Sequence, residues 1–232
     1  MKGLFLLLSV LAAVGLCACG GGSGEATTTG PLALDQRVPT EDDAPGSRVD
    51  PVEKTQTAST PEEFDQKMGD AFVNPTKQEQ KEFLTLPFVG AIRATRFFPS
   101  EPGAEHSRDD VHVFSLVVQF ETPDAAKRMA EFFHTDGLRP CPHSCAFSVS
   151  EFDVSDIPDA TGVRRYASEE AIQAAGTGED RPYDSYEIYF AEGNFAYFIN
   201  LGGPPGKPSQ DKAEEIAGNL YDRVHGAAVP TG

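Results

Sequence analysis

Cys141-Pro142-His143-Ser144-Cys145 is the stretch whose residue types and spacing come nearest to a reactive site. Redox catalysts place Cys-x-x-Cys where a helix begins, so that the dipole and a short loop depress one thiol pKa. Here three residues separate the thiols, and the pair follows a helical pattern rather than opening one. As a metal site it supplies two thiolates and His143, without a nearby fourth ligand to close a tetrahedron. A structural bridge fits better. Cys141 and Cys145 are expected to form a disulfide that pins a helix to the strand after it, worth about 2 kcal/mol for so short a loop.

The other histidines, His106, His112, His134 and His225, have no Ser or Cys nucleophile at a recognisable spacing. G-x-S-x-G, H-E-x-x-H and P-loop patterns are missing as well. His112 falls in a strand pattern and is expected at a sheet edge. His134 falls near a helix end, where a cation complements the negative terminus. The acidic pairs Asp109-Asp110, Glu169-Glu170 and Glu179-Asp180 lack the alternating ligands and glycine of a calcium loop and read as solvated charge. No catalytic residue, metal ligand or cofactor is nominated. A carboxylate pair brought together from distant segments stays open as the alternative, an envelope-acting enzyme. Among the aromatics near the C-terminus, Tyr186, Tyr189 and Tyr197 are the candidates for a pocket holding an apolar or sugar ligand. Strand alternation nonetheless sends half of such aromatics into the core.

Positioning these residues falls to a set of clear elements. Thr60-Pro61-Glu62-Glu63 is a helix start, with a capping hydroxyl, proline in the first turn and acids at the positive dipole end. Phe64, Met68 and Phe72 follow on one stripe. A short helix is expected over Thr76–Leu84 and a strand over Phe88–Phe98. Val111–Glu121 alternates strongly enough to be the clearest strand. Thr122-Pro123-Asp124 opens a helix with Ala126, Met129, Ala130 and Phe133 inward, closed by Gly137. Strands are expected over Ala146–Val154 and Val163–Ala167, then a loop over Ser168–Asp180 with at most a helical turn. Tyr186–Ala191 and Phe195–Leu201 flank Glu192-Gly193-Asn194 as a hairpin. A final amphipathic helix, Ser209–Val224, buries Ala213, Ile216, Ala217, Leu220, Tyr221 and Val224. Hairpin-joined strands with helices at both ends give an α+β fold, an antiparallel β-sheet with helices packed on one face.

The net charge of -17 excludes a nucleic-acid partner, which needs clustered Lys and Arg. It also argues against the domain lying on anionic lipid. From Gly20 to about Thr60 the chain is rich in Gly, Ser, Thr, Pro and acid, too polar to offset its ordering entropy. It reads as a flexible tether reaching roughly 35 Å.

Near the N-terminus, Lys2 supplies a short positive region, followed by an apolar run of roughly 13 residues, Leu4–Leu16. That is a secretory leader, too short for the about 20 residues of a membrane span. Leu16-Cys17-Ala18-Cys19 resembles the lipobox of bacterial lipoproteins. The resemblance implies diacylglyceryl transfer to Cys19 and cleavage between Ala18 and Cys19, because Leu16 is too large to precede a modified Cys17. Two acyl chains suffice for stable anchoring. Ile157-Pro158-Asp159-Ala160, Glu192-Gly193-Asn194-Phe195-Ala196-Tyr197 and Leu220-Tyr221-Asp222-Arg223 resemble exported lipoproteins of actinobacteria. This implies a non-catalytic envelope protein and carries over no functional residue. The expected organisation is a signal peptide at 1–18, a lipidated tether at 19–59, one α+β domain at 60–227 and a tail at 228–232. The expected function is a lipid-anchored binding or interaction module at the outer face of the cell membrane. Its partners would be the membrane, through covalent lipid, and an envelope protein or an apolar or sugar ligand.

Overall fold

The computed structural model describes residues 32–69, 75–101, 104–107, 109–139, 147–175 and 181–225. Cys19, Cys141, His143 and Cys145 lie outside the described residues, so the anchor and the disulfide stay expectations. In chain order the elements are β1 (Arg48–Val49), β2 (Gln56–Ala58), α1 (Pro61–Met68), α2 (Lys77–Phe83), β3 (Phe88–Phe98) and β4 (Val111–Phe120). There follow α3 (Pro123–Gly137), β5 (Phe147–Asp153), β6 (Thr161–Ala167), α4 (Glu169–Ala175), β7 (Tyr183–Glu192), β8 (Phe195–Gly203) and α5 (Gln210–His225). The eight strands form one antiparallel sheet in the order β1-β3-β4-β8-β7-β6-β5, with β2 also paired to β3. The fold is therefore α+β, as the sequence pattern requires.

Alternation along the central strands makes two cores. Leu116, Val118, Phe120, Tyr189, Ala196 and Phe198 face one side and meet Phe64, Met68 and Phe83 of α1 and α2 and Met129 and Phe133 of α3. Val113, Val117, Ile188, Phe190, Tyr197 and Ile199 face the other side and meet Ile216, Ala217, Leu220 and Val224 of α5. Helices α1, α2 and α3 thus share one face, as expected, while α5 covers the opposite face. The cause is visible in the central strands, whose residues are buried almost without interruption. A strand buried on both faces needs a layer on each.

Local signals that were legible in the sequence act as read. Thr60 accepts a hydrogen bond from the Glu63 amide at 3.2 Å, and Thr122 from the Ala125 amide at 3.3 Å. Gly193, with φ of 54°, makes the β7–β8 turn that L side chains resist. Ser168–Asp180 yields the short helix α4 in its described part.

Residues 32–58, expected as tether, belong instead to the folded unit. β1 and β2 pair with β3, and Arg37, Asp43 and Ala44 are buried. The Arg37 guanidinium lies 3.7 Å over the Phe195 ring and donates to the Tyr197 hydroxyl at 3.0 Å. Leu32, Leu34, Val38 and Ala44 pack on the core of the α5 face and Ala58 on the other, but they are too scattered to show a strand or helix period; ion pairs, hydrogen bonds and cation–π contact add to the holding.

Candidate functional site

On the face carrying α3, that helix covers only part of the sheet: its contacts fall on β4, β6, β7 and β8. Beside it runs a groove of about 370 Å³ lined by Glu53, Arg93, Thr95, His112, Phe114, Tyr183, Glu187, Phe198 and Asn200. Its floor follows from register. Thr95, Phe114, Asn200 and Glu187 stand opposite one another as a single row across β3, β4, β8 and β7. Period-2 alternation points all four toward the same side.

The floor is aromatic in its middle, with the Phe114 and Phe198 rings 5.4 Å apart and Arg93 4.8 Å over Phe114. Polar groups flank it. Thr95 Oγ1 donates to Glu53 Oε2 at 2.7 Å, and Arg93 stands 3.8 Å from the same oxygen. Tyr183 leans across Gly202, where a Cβ would overlap its hydroxyl, and burial pushes its phenol up to about 12. Asn200 lies beside that hydroxyl, its side-chain oxygen buried without a hydrogen-bond partner.

Glu187 is the buried carboxylate at the far end, and it is already engaged. Arg165 Nε reaches its two oxygens at 3.1 and 3.2 Å, and the Tyr189 hydroxyl donates to it. The same Arg165 donates to the Asp136 and Gly137 carbonyls, closing the C-terminus of α3. Burial pushes the Glu187 carboxyl up, against the pull of Arg165 and the Tyr189 hydrogen bond. This carboxylate ties α3 to the sheet and offers no free acid to a substrate.

The three tyrosines singled out from sequence are not brought together. Tyr186 lies on the α5 face beside Phe152, at a ring distance of 6.0 Å. Tyr197 is on that face too, stacked on Phe190 at 4.5 Å beneath Arg37. Tyr189 is on the α3 face. It lines a second cleft of about 530 Å³ with His134, Lys127 and Asp159. That cleft is larger; its rim carries the exposed Lys127–Asp159 pair at 3.9 Å, and His134 Nε2 is buried in it, 2.9 Å from Glu151 without a well-formed hydrogen bond, but its lining has no aromatic floor like that of Phe114 and Phe198.

Sequence reasoning weighed His106 and His112 singly, with His112 expected at a sheet edge, and passed over Asp50; β4 instead lies inside the sheet, and the fold gathers the three at one end of the groove with ligand atoms within 4.8 Å of one another. No spacing rule finds a trio drawn from three separate segments. Asp110, expected as solvated charge, is buried and accepts from the Ser100 and Ser107 amides at 2.8 and 2.7 Å. Asp109, Glu169 and Glu170 are exposed as expected, and Glu179 and Asp180 lie outside the described residues.

No known protein family matches the chain, and no curated protein matches it. Solved structures do resemble it, among them two of mycobacterial proteins. One is the extracellular domain of PknH from Mycobacterium tuberculosis, 14% identical, with a TM-score of 0.49 over 84% of this chain and 98% of that one. The other is the Rv0999 ortholog from Mycobacterium smegmatis, 12% identical, with a TM-score of 0.38 over 78% of this chain and 90% of that one. Likeness at this level assigns neither ligand nor activity. Among the described residues no helix is long and apolar enough to cross a membrane.

Proposed function

We propose that this chain is a non-catalytic binding module of the cell envelope, held to the outer face of the membrane by lipid on Cys19, with the sheet groove as its ligand site. The observation that carries the reading is the groove itself: an aromatic floor of Phe114 and Phe198 flanked by Arg93, Tyr183 and the unpartnered Asn200 oxygen. Apolar surface with a few fixed polar groups is the usual make-up of a small-molecule site. It suits a compact ligand with one apolar face and several hydroxyls, such as a sugar unit. The lipobox resemblance and the leader support the anchor. With residues 32–58 in the folded unit, any linker between lipid and domain ends before Leu32.

Native mass spectrometry of the mature chain, purified from its own envelope extract, tests the site. The expected result is a mass excess that vanishes on denaturation and is lost in the Arg93→Leu and Asn200→Leu variants. Equal excess in those variants, or none in the native chain, removes the groove as a tight ligand site. Cys19→Ser separately tests the anchor, which predicts loss of the protein from the detergent phase.

The alternative of an envelope-acting enzyme calls for a buried carboxylate pair in a cleft. The groove is lined by two carboxylates: Glu187, held by Arg165 and Tyr189, and the half-exposed Glu53, held by Thr95 and Arg93.

A further inference from the structure

Asp50 follows β1 directly, and its amide extends the ladder by donating to the Thr95 carbonyl at 3.1 Å. This sets its buried side chain beside β3. Its two carboxylate oxygens have separate roles. Oδ1 accepts from the Val52 and Glu53 amides at 2.7 and 3.0 Å. Oδ2 faces two imidazoles, His106 Nε2 at 3.1 Å and His112 Nδ1 at 3.6 Å.

The two histidines are just as firmly placed. His112 sits on β4 opposite Phe97. His106 packs edge-on against Phe97 and against His112, both at 5.1 Å. The segment carrying His106 is closed by Asp110, which accepts from the Ser100 and Ser107 amides. His106 Nε2 is buried and, despite its approach to Asp50, makes no hydrogen bond of acceptable geometry.

We propose that Asp50, His106 and His112 bind a divalent transition-metal ion, with zinc as the best fit. Zinc bonds to imidazole nitrogen and carboxylate oxygen at about 2.0–2.2 Å, which in a tetrahedron spaces ligand atoms by roughly 3.3 Å. The Asp50–His106 and Asp50–His112 separations of 3.1 and 3.6 Å bracket that value, and all three ligand atoms lie within 4.8 Å of one another. Two imidazoles and a carboxylate are the donor set that zinc and its neighbours prefer over calcium or magnesium. The amides on Oδ1 orient the carboxylate as outer-shell partners do in metal sites. Three protein ligands leave one tetrahedral position for water or a ligand atom. The inference does not depend on the groove having a natural ligand.

The test uses the mature chain stripped of metal with a chelator. Zinc alone is titrated calorimetrically, and cobalt(II) by visible absorption. One ion per chain is expected, with the spectrum of four-coordinate cobalt and no thiolate charge-transfer band, which separates this site from Cys141 and Cys145. His106→Gln and His112→Gln should each weaken zinc binding by roughly 100-fold or more, beyond the loss typical of outer-shell changes. In the unaltered chain, the nitrogen resonances of His106 Nε2 and His112 Nδ1 should move on adding zinc, a readout that requires no variant to fold. Absence of saturable binding overturns the proposal. So does binding that leaves those two nitrogens unmoved.

Discussion

Arg223 on the last helix grips Asp43, 180 residues earlier, with its Nε 3.0 Å from Oδ1 and its Nη2 2.6 Å from Oδ2. The same guanidinium donates to the Val38 carbonyl at 2.9 Å and to the Gln36 carbonyl. One side chain of α5 thereby fastens the N-terminal segment over the core on that face. Burial would raise the Asp43 carboxyl, but Arg223 and Thr40 hold it below its ordinary value of 3.8.

Asp43→Asn should therefore destabilise the fold by about 2–3 kcal/mol, below the full cost of breaking a buried pair because Arg223 keeps some water. For a domain of this size each kcal/mol lowers Tm by about 2–4 °C. The pH dependence has a fixed sign. A depressed folded-state pKa adds stability above the unfolded value of 3.8, lost as pH falls through the lower folded value. Thermal unfolding followed from pH 6 down to about pH 2 should show a steeper acid loss for the native chain than for the variant.

A chain beginning at Thr60 should unfold readily, whereas one beginning at Leu32 should be as stable as the mature protein. The shorter chain lacks Arg37, which covers Phe195 and Tyr197, and lacks β1 and β2. Hydrogen exchange of β8 amides distinguishes the two. Equal protection in both would show that residues 32–59 contribute no stability.

Arg139, hydrogen-bonded to Glu79, holds that carboxyl at about 2, with help from Thr76. The sign again follows from the depression. The link between α2 and the end of α3 is at full strength above pH 4.5 and weakens as pH falls toward 2. Carboxyl NMR titration should find Glu79 the most acid-shifted glutamate. Glu79→Gln should flatten the stability profile over that window.

Gly137→Ala should cost about 1–3 kcal/mol by overpacking. An added Cβ would overlap the Tyr189 hydroxyl, itself fixed by its bond to Glu187. Tyr189→Phe removes that hydroxyl, so the double variant should be more stable than the sum of the single changes. Strict additivity in a double-mutant cycle would place the cost elsewhere.

Gly202→Ala should disturb the groove in the same manner by displacing Tyr183, whose hydroxyl occupies the space a Cβ would need. Ultraviolet titration should then bring one tyrosine down from about 12 toward the ordinary 10.0. A raised phenol pKa contributes stability below pH 10.0 that is lost as pH rises toward 12, so the variant should lose less in alkali.

What could be read from the chain depended on what kind of force shapes each part. Thr60 and Thr122 cap their helices locally, and Val111–Phe120 is a strand by its own alternation. The segment over residues 32–58 escaped because its ties, Arg37 to Tyr197 and Asp43 to Arg223, join polar residues far apart in sequence. Tyr186 and Tyr189 differ by an odd step along one strand, so the pleat alone sends them to opposite faces.

The sequence by itself determined the helix starts, the main strands, the α+β class and the acidic balance, since each rests on near neighbours or on composition. Only the tertiary structure decided that α5 covers the second face, that Phe114 and Phe198 meet Tyr183 and Asn200 in one groove, and that Asp50 meets His106 and His112. Those groupings are set by strand register and sheet order, which place residues side by side without regard to their distance along the chain.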